Sequence, residues 1–236
     1  MEDKKNIEMN IADAIMEKPI GFNIGSRHFC LYHPCLGKTY LLSRLMHSIN
    51  FSPDNLKTNP YLEAIRICRD FKDVVCRILS YHSFSCKTDI LDETKIGKRA
   101  KLFGKNLDLD ELAQLLIIVM SWDDVDVYIK HFGLDKERNL RNRISKMKSE
   151  GCSVSFGGLS TYGALIDFAC QRYGWTMDYV VWGISYVNLQ MLMADAITSI
   201  YLSKDEMKKL RIPQDRTYIS GDDPRNIDKI KSMNWN

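Results

Sequence analysis

Apolar residues alternate with polar ones near the start of the chain and then repeat at helical spacing along most of its length. The alternation runs through residues 20–32, and Gly25 and Ser26 stand in its middle, which predicts a small β-hairpin. In residues 38–50 the apolar side chains share one helical face, so we predict that a first helix follows the hairpin directly.

A long amphipathic helix is predicted after the loop at Asn59 and Pro60. Its apolar residues recur at helical spacing over about five turns, and they are Tyr61, Leu62, Ile65, Cys68, Phe71, Val75, Ile78 and Leu79. The next segment, 86–106, mixes basic residues with isolated apolar residues and two glycines. We interpret this segment as a broken or short helix on the surface.

Side chains that can cap helices mark the middle of the chain. Asp108 or Asp110 can accept the first backbone N–H groups of one helix. Ser121, with Asp124 at the third position, is predicted to cap the next helix, which Gly133 would end. Residues 135–149 have many bases and few apolar positions, a pattern typical of a solvated helix or an exposed linker.

The longest apolar and aromatic stretch of the chain covers residues 162–202. It predicts three helices joined by very short turns, with N-caps at Thr176 and Ser185 for the second and third. The third helix, residues 186–202, is apolar on nearly every face. We expect such a helix to lie at the centre of a core or to be partly covered by another molecule.

These patterns predict a mainly α fold, a helical domain with a small N-terminal β-hairpin. We divide the chain into an N-terminal segment, 1–52, that holds the hairpin and the first helix, a helical domain, 53–210, and a polar C-terminal tail, 211–236. The tail has the composition of a loosely held segment.

Composition places the chain in the ordinary soluble globular class. Its 236 residues are 45% hydrophobic and 27% charged, and its net charge of +3 is too small to demand a nucleic-acid or membrane partner. The longest apolar run, Leu115 to Met120, is far shorter than the ~20 residues of a membrane-spanning helix. The first residues lack the pattern of a secretory signal. We therefore expect a protein of the cytoplasm, whose seven scattered cysteines are reduced thiols.

The tripeptide Gly37-Lys38-Thr39 resembles the end of a phosphate-binding Walker A loop. That motif needs a further glycine five positions before Gly37, where this chain has Tyr32. His33, Pro34 and Cys35 supply neither the flexibility nor the donors of such a loop. We therefore interpret the tripeptide as a turn and the start of a helix.

Two other groups of residues could hold a metal ion. His28, Cys30, His33 and Cys35 are potential zinc ligands, but a second pair at zinc-finger spacing is missing, so we interpret them as residues of the hairpin and its exit. Three aspartates, Asp123, Asp124 and Asp126, fit a helix N-terminus better than a metal site.

No nucleophile with its base, and no hydrolase, protease or dinucleotide motif, is visible in the sequence. We therefore expect neither catalysis nor a cofactor. The basic segments 95–105 and 136–148 leave a nucleic-acid-binding or regulatory protein as the alternative. In the segment 136–148, Glu137 and the nearby Glu150 dilute the basic patch, and aromatic residues for base stacking are lacking, so we consider binding to nucleic acid unlikely.

Two stretches together resemble one family. FNIGSRHFCLYHPCLGKTYLLSRL is similar to the opening of the tail assembly chaperones of long-tailed bacteriophages and prophages, where a β element leads through a leucine-glycine turn into a helix. LIDFACQRYGWTMDYVVWGISYVNLQMLMADAITSIYL resembles the region of such proteins where a helix ends in Tyr-Gly-Trp and a capped turn follows. The resemblance covers residues 20–50 and 108–205, and the chain departs from the family at 60–82 and 86–106.

The resemblance implies a non-enzymatic, mostly helical protein that acts in the cytoplasm of a bacterial host. Its implied partner is the phage tape measure protein, a long and aggregation-prone chain around which the tail tube polymerises. The tail tube protein and a second copy of this chain remain open as further partners. A membrane partner is not expected.

An excess of apolar helix suits a protein that covers the apolar helices of another. We therefore place the candidate partner-binding residues in the stretch 162–202, and they are Met177, Trp182, Met191, Leu192, Met193 and Asp195. The flexible methionine side chains adapt to varied partner sequences, although ordinary core filling remains open for each methionine. The exposure of Leu192 distinguishes a surface sealed by the N-terminal segment from one offered to a partner.

Overall fold

The computed structural model describes residues 9, 11–49, 52, 58–122, 125–148, 160–197 and 199–212. The chain divides into two compact units, Met1–Arg138 with Val154–Ala196 and Asn139–Ser153 with Ile197–Asn236. Most of the predicted polar tail, residues 213–236, lies outside the described residues, as do Asp123 and Asp124. The fold is mainly helical with one small hairpin near the N-terminus, which confirms the predicted fold class.

The hairpin consists of the antiparallel strands β1 (Ile20–Ile24) and β2 (Arg27–Leu31). Ile20 pairs with Leu31 and Ile24 pairs with Arg27. Gly25 has a φ of +58° in the turn between them, a backbone conformation that glycine adopts without steric cost. The hairpin and its turn are as the alternation predicts.

Among the described residues, the first six helices after the hairpin enclose, together with it, the main core of the first unit. They are α1 (Leu36–Met46), α2 (Pro60–Asp70), α3 (Lys72–His82), α4 (Lys87–Ile90), α5 (Glu93–Asn106) and α6 (Leu109–Ser121). Helix α2 packs chiefly on α6, and α3 packs chiefly on α5. The side chains at the centre of this core are fully buried and include Leu31, Ile67, Leu79, Ile96, Phe103 and Leu112.

The prediction of one long helix over residues 61–79 is wrong at its centre. Phe71, with φ −130° and ψ 38°, leaves the helical conformation and separates α2 from α3. The apolar spacing continues through the break because both helices bury a face in the same core. The two helices differ, however, in their main partner, since α2 packs chiefly on α6 and α3 packs chiefly on α5.

Segment 86–106 is broken, as predicted, into α4 and α5, but it is not a surface segment. Asp92 caps α5 by accepting hydrogen bonds from the backbone N–H groups of Thr94 and Lys95, at 2.9 and 3.1 Å. Ile96 and Phe103 lie two turns apart on the same face of α5, and both are fully buried. Lys98, Lys101 and Lys105 are exposed on the opposite face, and the basic composition of the segment therefore hides its apolar face.

Capping explains the start of α6, as predicted. The Asp108 carboxylate accepts from the Glu111 N–H at 2.8 Å, and the Glu111 carboxylate accepts from the Asp108 N–H at 2.9 Å, which completes a capping box.

The predicted N-cap at Ser121 is wrong, because Ser121 is the last residue of α6 and its hydroxyl donates to the Ile118 carbonyl at 2.7 Å. Helix α7 (Val125–His131) ends before Gly133, whose φ is +71°.

The residues predicted to be a solvated helix or linker form α8 (Leu134–Lys148). Its last part belongs to the second unit, in which Arg143 donates to the Leu210 carbonyl at 2.8 Å and Lys148 donates to the Tyr201 carbonyl at 2.6 Å. This unit also contains a short helix, α12 (Lys204–Lys209), which a capping box at Ser203 begins.

The apolar stretch forms three helices, as predicted, and they are α9 (Thr161–Tyr173), α10 (Met177–Trp182) and α11 (Tyr186–Ala194). The predicted extension of the third helix to residue 202 is wrong. Asp195 follows α11 with φ −95° and ψ 17°, and the described residues from Ala196 to Ser203 are not helical. The apolar composition of residues 196–202 does not by itself hold a helix, because Ile197 and Tyr201 are not buried.

The structure describes six of the cysteines, all as free thiols. Burial raises the pKa of Cys68 to about 12 and that of Cys76 to about 11, so neither is a thiolate near neutral pH. Among the described residues, none of the helices is both long and apolar enough to cross a membrane.

Candidate partner-binding surface

Side-chain caps fix the turns between the three helices of the apolar stretch. Gly174 ends α9 in the left-handed conformation, with φ +67°. The Thr176 hydroxyl accepts from the Tyr179 N–H at 3.2 Å and begins α10. The Ser185 hydroxyl accepts from the Asn188 N–H at 3.3 Å and begins α11. The caps at Thr176 and Ser185 are therefore confirmed, and they set the directions of α10 and α11.

The start of α11 is also tied to the N-terminal part of the same unit. Glu17 Oε1 accepts from the Ser185 N–H at 2.8 Å and from Asn188 Nδ2 at 3.0 Å. The Tyr186 N–H donates to the Pro34 carbonyl at 2.8 Å. These contacts join residues more than 150 positions apart in the sequence and hold α11 in one place.

Helix α11 buries two faces against different clusters. Leu189 packs with Leu36, Leu165 and Val180 in one cluster. Val187 lies in another, together with Ala14, Val125, Ile129 and Leu134. This double burial explains why α11 is apolar on nearly every side, and it leaves the end of the helix, at Leu192 and Met193, less covered.

Four large apolar side chains of α10 and α11 remain exposed to solvent. Their exposed fractions are 64% for Met177, 45% for Tyr179, 37% for Leu192 and 39% for Met193. Since Leu192 is not buried, the described N-terminal residues do not seal this surface. Exposed apolar side chains that cluster, unlike single ones, are typical of interaction surfaces.

A chain of aromatic rings runs from α9 to Tyr179 of α10. The rings of Phe168 and Tyr173 lie 6.2 Å apart, those of Tyr173 and Trp175 stack at 4.7 Å, and those of Trp175 and Tyr179 meet edge to face at 5.1 Å. The Tyr173 hydroxyl donates to the Leu192 carbonyl at 3.4 Å. The rings therefore link α9, α10 and the end of α11. We call Trp175, Met177, Tyr179, Leu192 and Met193 the apolar surface.

The structure distributes the predicted partner-binding residues over two environments. Met177, Leu192 and Met193 belong to the apolar surface, and Asp195 is exposed just beyond α11. Met191 is half-buried and packs on the cluster that contains Val187. The half-buried Trp182 contacts Gly37 and lies under the Lys87 ammonium, 5.7 Å from the ring centroid.

Sequence reasoning missed the aromatic part of the apolar surface. Trp175 and Tyr179 were not among the predicted binding residues, although the signal was present. A glycine between Tyr173 and Trp175 reverses the chain after α9, so the two rings stack across the turn. Aromatic residues on both sides of a helix-ending glycine indicate such a ring contact.

His33, Cys35 and His82 lie near a buried lysine, Lys38. Lys38 is only 2% exposed, and its ammonium donates to the Phe84 carbonyl at 2.8 Å. Burial lowers the pKa of Lys38 to about 8, and burial together with the nearby Lys38 charge lowers the pKa of His82 to about 3. Burial also lowers the pKa of His33, whose ring packs on Trp122 with centroids 4.4 Å apart.

Gly37-Lys38-Thr39 does begin a helix, α1, and Lys38 points into the protein instead of toward a nucleotide-sized space. Of the four residues considered for zinc, His28 and Cys30 are neighbours on β2, at 3.5 Å between Nε2 and Sγ. Cys35 is buried at the start of α1. The part of the chain that the structure describes contains no group of three or more potential ligands that could hold a metal ion.

Comparison of the chain with protein-family models, with curated proteins and with solved structures finds no match.

Proposed function

We propose that the chain is a tail assembly chaperone of a long-tailed phage or prophage. It binds the tape measure protein in the cytoplasm of the bacterial host and assists assembly of the tail tube around it. The proposal rests on the two stretches that resemble this family. It also rests on one structural observation, the exposure of Met177, Tyr179, Leu192 and Met193 on helices whose other faces are buried.

The apolar surface suits an apolar helical partner. Its methionines are unbranched and polarizable, so they adjust to partner side chains of different shapes. Its two aromatic rings, Trp175 and Tyr179, meet edge to face, and Trp175 also stacks on Tyr173, so they present a fixed apolar area. A surface that combines both can cover many successive segments of one long partner with modest specificity for each.

The proposed action is binding and not catalysis, and the tape measure protein is its main partner. The tail tube protein and a second copy of the chain are further partners that the same surface could contact. Asp195, beside Leu192 and Met193, gives the rim a negative charge, which favours partner helices with basic residues next to their apolar face.

Co-expression of the full chain with the tape measure protein encoded beside it tests the proposal. We expect several-fold more tape measure protein in the soluble fraction, and we expect the two proteins to co-purify. The double variant Leu192→Glu/Met193→Glu should abolish both effects, because it places two charges where an apolar helix would bind. Light scattering of the purified chain measures its self-association.

Leu62→Glu is the matched control, since Leu62 is an exposed leucine of α2 outside the apolar surface. The Leu62→Glu variant should still raise the soluble amount of the tape measure protein and co-purify with it. Unchanged solubility of the tape measure protein, with no co-purification, would remove the chaperone proposal. If circular dichroism shows that both variants fold, and both lose solubilisation and co-purification of the tape measure protein to the same extent, then the apolar surface is not the binding site.

The alternative, a nucleic-acid-binding or regulatory protein, has one observation in its favour. Lys98, Lys101 and Lys105 are all exposed and follow one another at helical spacing along α5. The bases Arg143 and Lys148 of α8 instead donate to backbone carbonyls. Retention of the chain on DNA or RNA at low salt, lost in Lys98→Glu/Lys101→Glu, would support this function, and no retention at low salt would remove it.

A further inference from the structure

A cavity of about 200 Å³ lies beside the first turn of α1, in the first unit. Polar side chains form much of its wall, and they include Glu17, Cys35, Lys38, Ser85 and Ser185. Trp182 and Ile184 supply apolar wall. Ser85 is exposed, so solvent reaches the cavity from that side. The cavity is separate from the apolar surface and does not depend on the proposed chaperone function.

Within the part of the chain that the structure describes, the buried ammonium group of Lys38 has no counter-ion. One of its three N–H groups donates to the Phe84 carbonyl, and within the described residues the other two have no hydrogen-bond partner. No carboxylate of the described residues forms an ion pair with it. An unpaired buried ammonium is less stable than one in water, because burial removes its hydration.

The other titratable groups near the cavity do not compensate this charge. The Glu17 carboxylate is held by the Ser185 N–H and Asn188 Nδ2, and it interacts with His33. His33 and His82 are neutral near pH 7, because burial lowers the pKa of both. The Cys35 thiol and the Tyr32 phenol are the remaining titratable groups of the wall, and Cys35 acts against the effect of burial on the pKa of Lys38. The Glu17 carboxylate thus lies in the same wall but is bound to the start of α11, and within the described residues it forms no ion pair with Lys38.

The start of α1 adds to the positive potential at this place. Cys35 is the N-cap residue, but its side chain makes no capping hydrogen bond. The backbone N–H groups of the first turn thus have no side-chain acceptor, and the positive end of the helix dipole is not offset there. An anion beside Lys38 would interact favourably with both the ammonium and this helix end.

We propose that this cavity binds a small oxyanion, a carboxylate or an inorganic oxyanion, that serves as the counter-ion of Lys38. Two unpartnered N–H groups of the ammonium donate to the anion. The Ser185 hydroxyl, which accepts from the Asn188 N–H, still has its own proton to donate. The volume fits a small anion and not a nucleotide, which needs a larger site.

The pH dependence of binding follows from the lysine. An anion stabilises the ammonium form, and burial without an anion lowers the pKa of Lys38 to about 8. Above that pH the free protein loses the ammonium proton, so the apparent affinity for the anion should fall about tenfold for each further pH unit. Bound anion should move the pKa of Lys38 back upward.

A lysine-selective NMR titration of the full chain with sulfate tests the proposal, because sulfate itself does not titrate between pH 6 and 9. Ionic strength is held constant with chloride. We expect a saturable shift of the Lys38 Cε and Nζ signals and no saturable shift of the exposed Lys101. A Lys38 response that is absent or linear, like that of Lys101, would mean that the cavity holds only water and would overturn the proposal.

Thermal unfolding gives a second, independent readout. Sulfate should raise the unfolding temperature of the wild type more than chloride at equal ionic strength does. Lys38→Met should remove this difference, and Lys101→Met should keep it. A sulfate effect that persists in Lys38→Met contradicts the proposal. If Lys38→Met does not fold, the NMR titration of the wild type decides.

Discussion

The indole ring of Trp182 packs directly against Gly37. A Cβ atom added at Gly37 would lie 2.8 Å from two carbon atoms of the ring, closer than real Cβ atoms approach other groups. This contact joins α1 to α10 within the first unit. The glycine before Lys38 is thus required for the close approach of a large ring and not for wrapping a phosphate.

Replacing Gly37 with alanine should destabilise the protein. The added methyl group forces the Trp182 ring to move within a packed core, which costs on the order of 1–3 kcal/mol. Alanine also has a higher helix propensity than glycine, which offsets about 1 kcal/mol of that cost. The expected result is a lower midpoint of urea unfolding with an unchanged slope.

Gly97→Ala is the matched control for that substitution. Gly97 also lies in a helix, α5, but a Cβ there would have no neighbour within 4 Å. The propensity gain should then appear alone and stabilise the protein by about 0.5–1 kcal/mol. If Gly37→Ala proved as stabilising as Gly97→Ala, the packing argument for Trp182 would be wrong.

Acid should destabilise the protein through His82. Burial, with a smaller contribution from the Lys38 charge, lowers the pKa of His82 to about 3 in the folded protein, against about 6.5 in an unfolded chain. Between these two values the unfolded chain binds a proton that the folded protein does not. The free energy of unfolding therefore falls as pH drops from about 6.5 toward 3, by at most about 1.4 kcal/mol per pH unit from this group.

Two measurements check the role of His82. The imidazole NMR signals of His82 should remain those of a neutral ring at pH 5, with the proton on Nδ1, which lies 3.2 Å from the Tyr32 carbonyl. His82→Phe should make stability less dependent on pH between 6.5 and 5, where most carboxylates stay ionised. An imidazolium signal at pH 5 in the folded protein would contradict the prediction.

The cap at Thr176 should contribute measurably to stability. Its hydroxyl accepts from the Tyr179 N–H at 3.2 Å at the start of α10, and alanine would leave that N–H without its acceptor. We expect Thr176→Ala to lower the free energy of unfolding by about 1 kcal/mol. Thr176→Ser keeps the hydroxyl and should change stability far less. Equal losses in the two variants would show that the methyl group, and not the cap, is responsible.

The elements that the sequence predicts correctly are those that depend only on residues close together in the sequence. The hairpin needs only alternation and a glycine turn, and the caps at Asp108, Thr176 and Ser185 need only a side chain three positions before its N–H partner. The break at Phe71 was missed because it depends on which helices α2 and α3 pack against.

The same distinction applies to the candidate sites. The exposure of Met177, Leu192 and Met193 could be expected from an excess of apolar residues over what a helix can bury, whereas their role in binding a partner stays a prediction. The burial of Lys38 could not, since Phe84, which accepts its hydrogen bond, lies 46 residues away. The placement of Trp182 on Gly37 is equally non-local, and the pattern of α10 alone gives no sign of it.

The burial of Phe103 predicts that α5 is an essential part of the core, despite its basic composition. The Phe103 ring meets those of Phe22 and Phe29 edge to face, with centroids 5.6 and 5.5 Å away, and thereby joins α5 to the hairpin. Phe103→Ala removes both contacts and leaves a cavity, so we expect a loss of about 3–5 kcal/mol in the free energy of unfolding. Phe132→Ala, at an exposed phenylalanine, should cost less than about 1 kcal/mol. Similar urea midpoints for the two variants would mean that α5 is the surface helix its basic residues suggest.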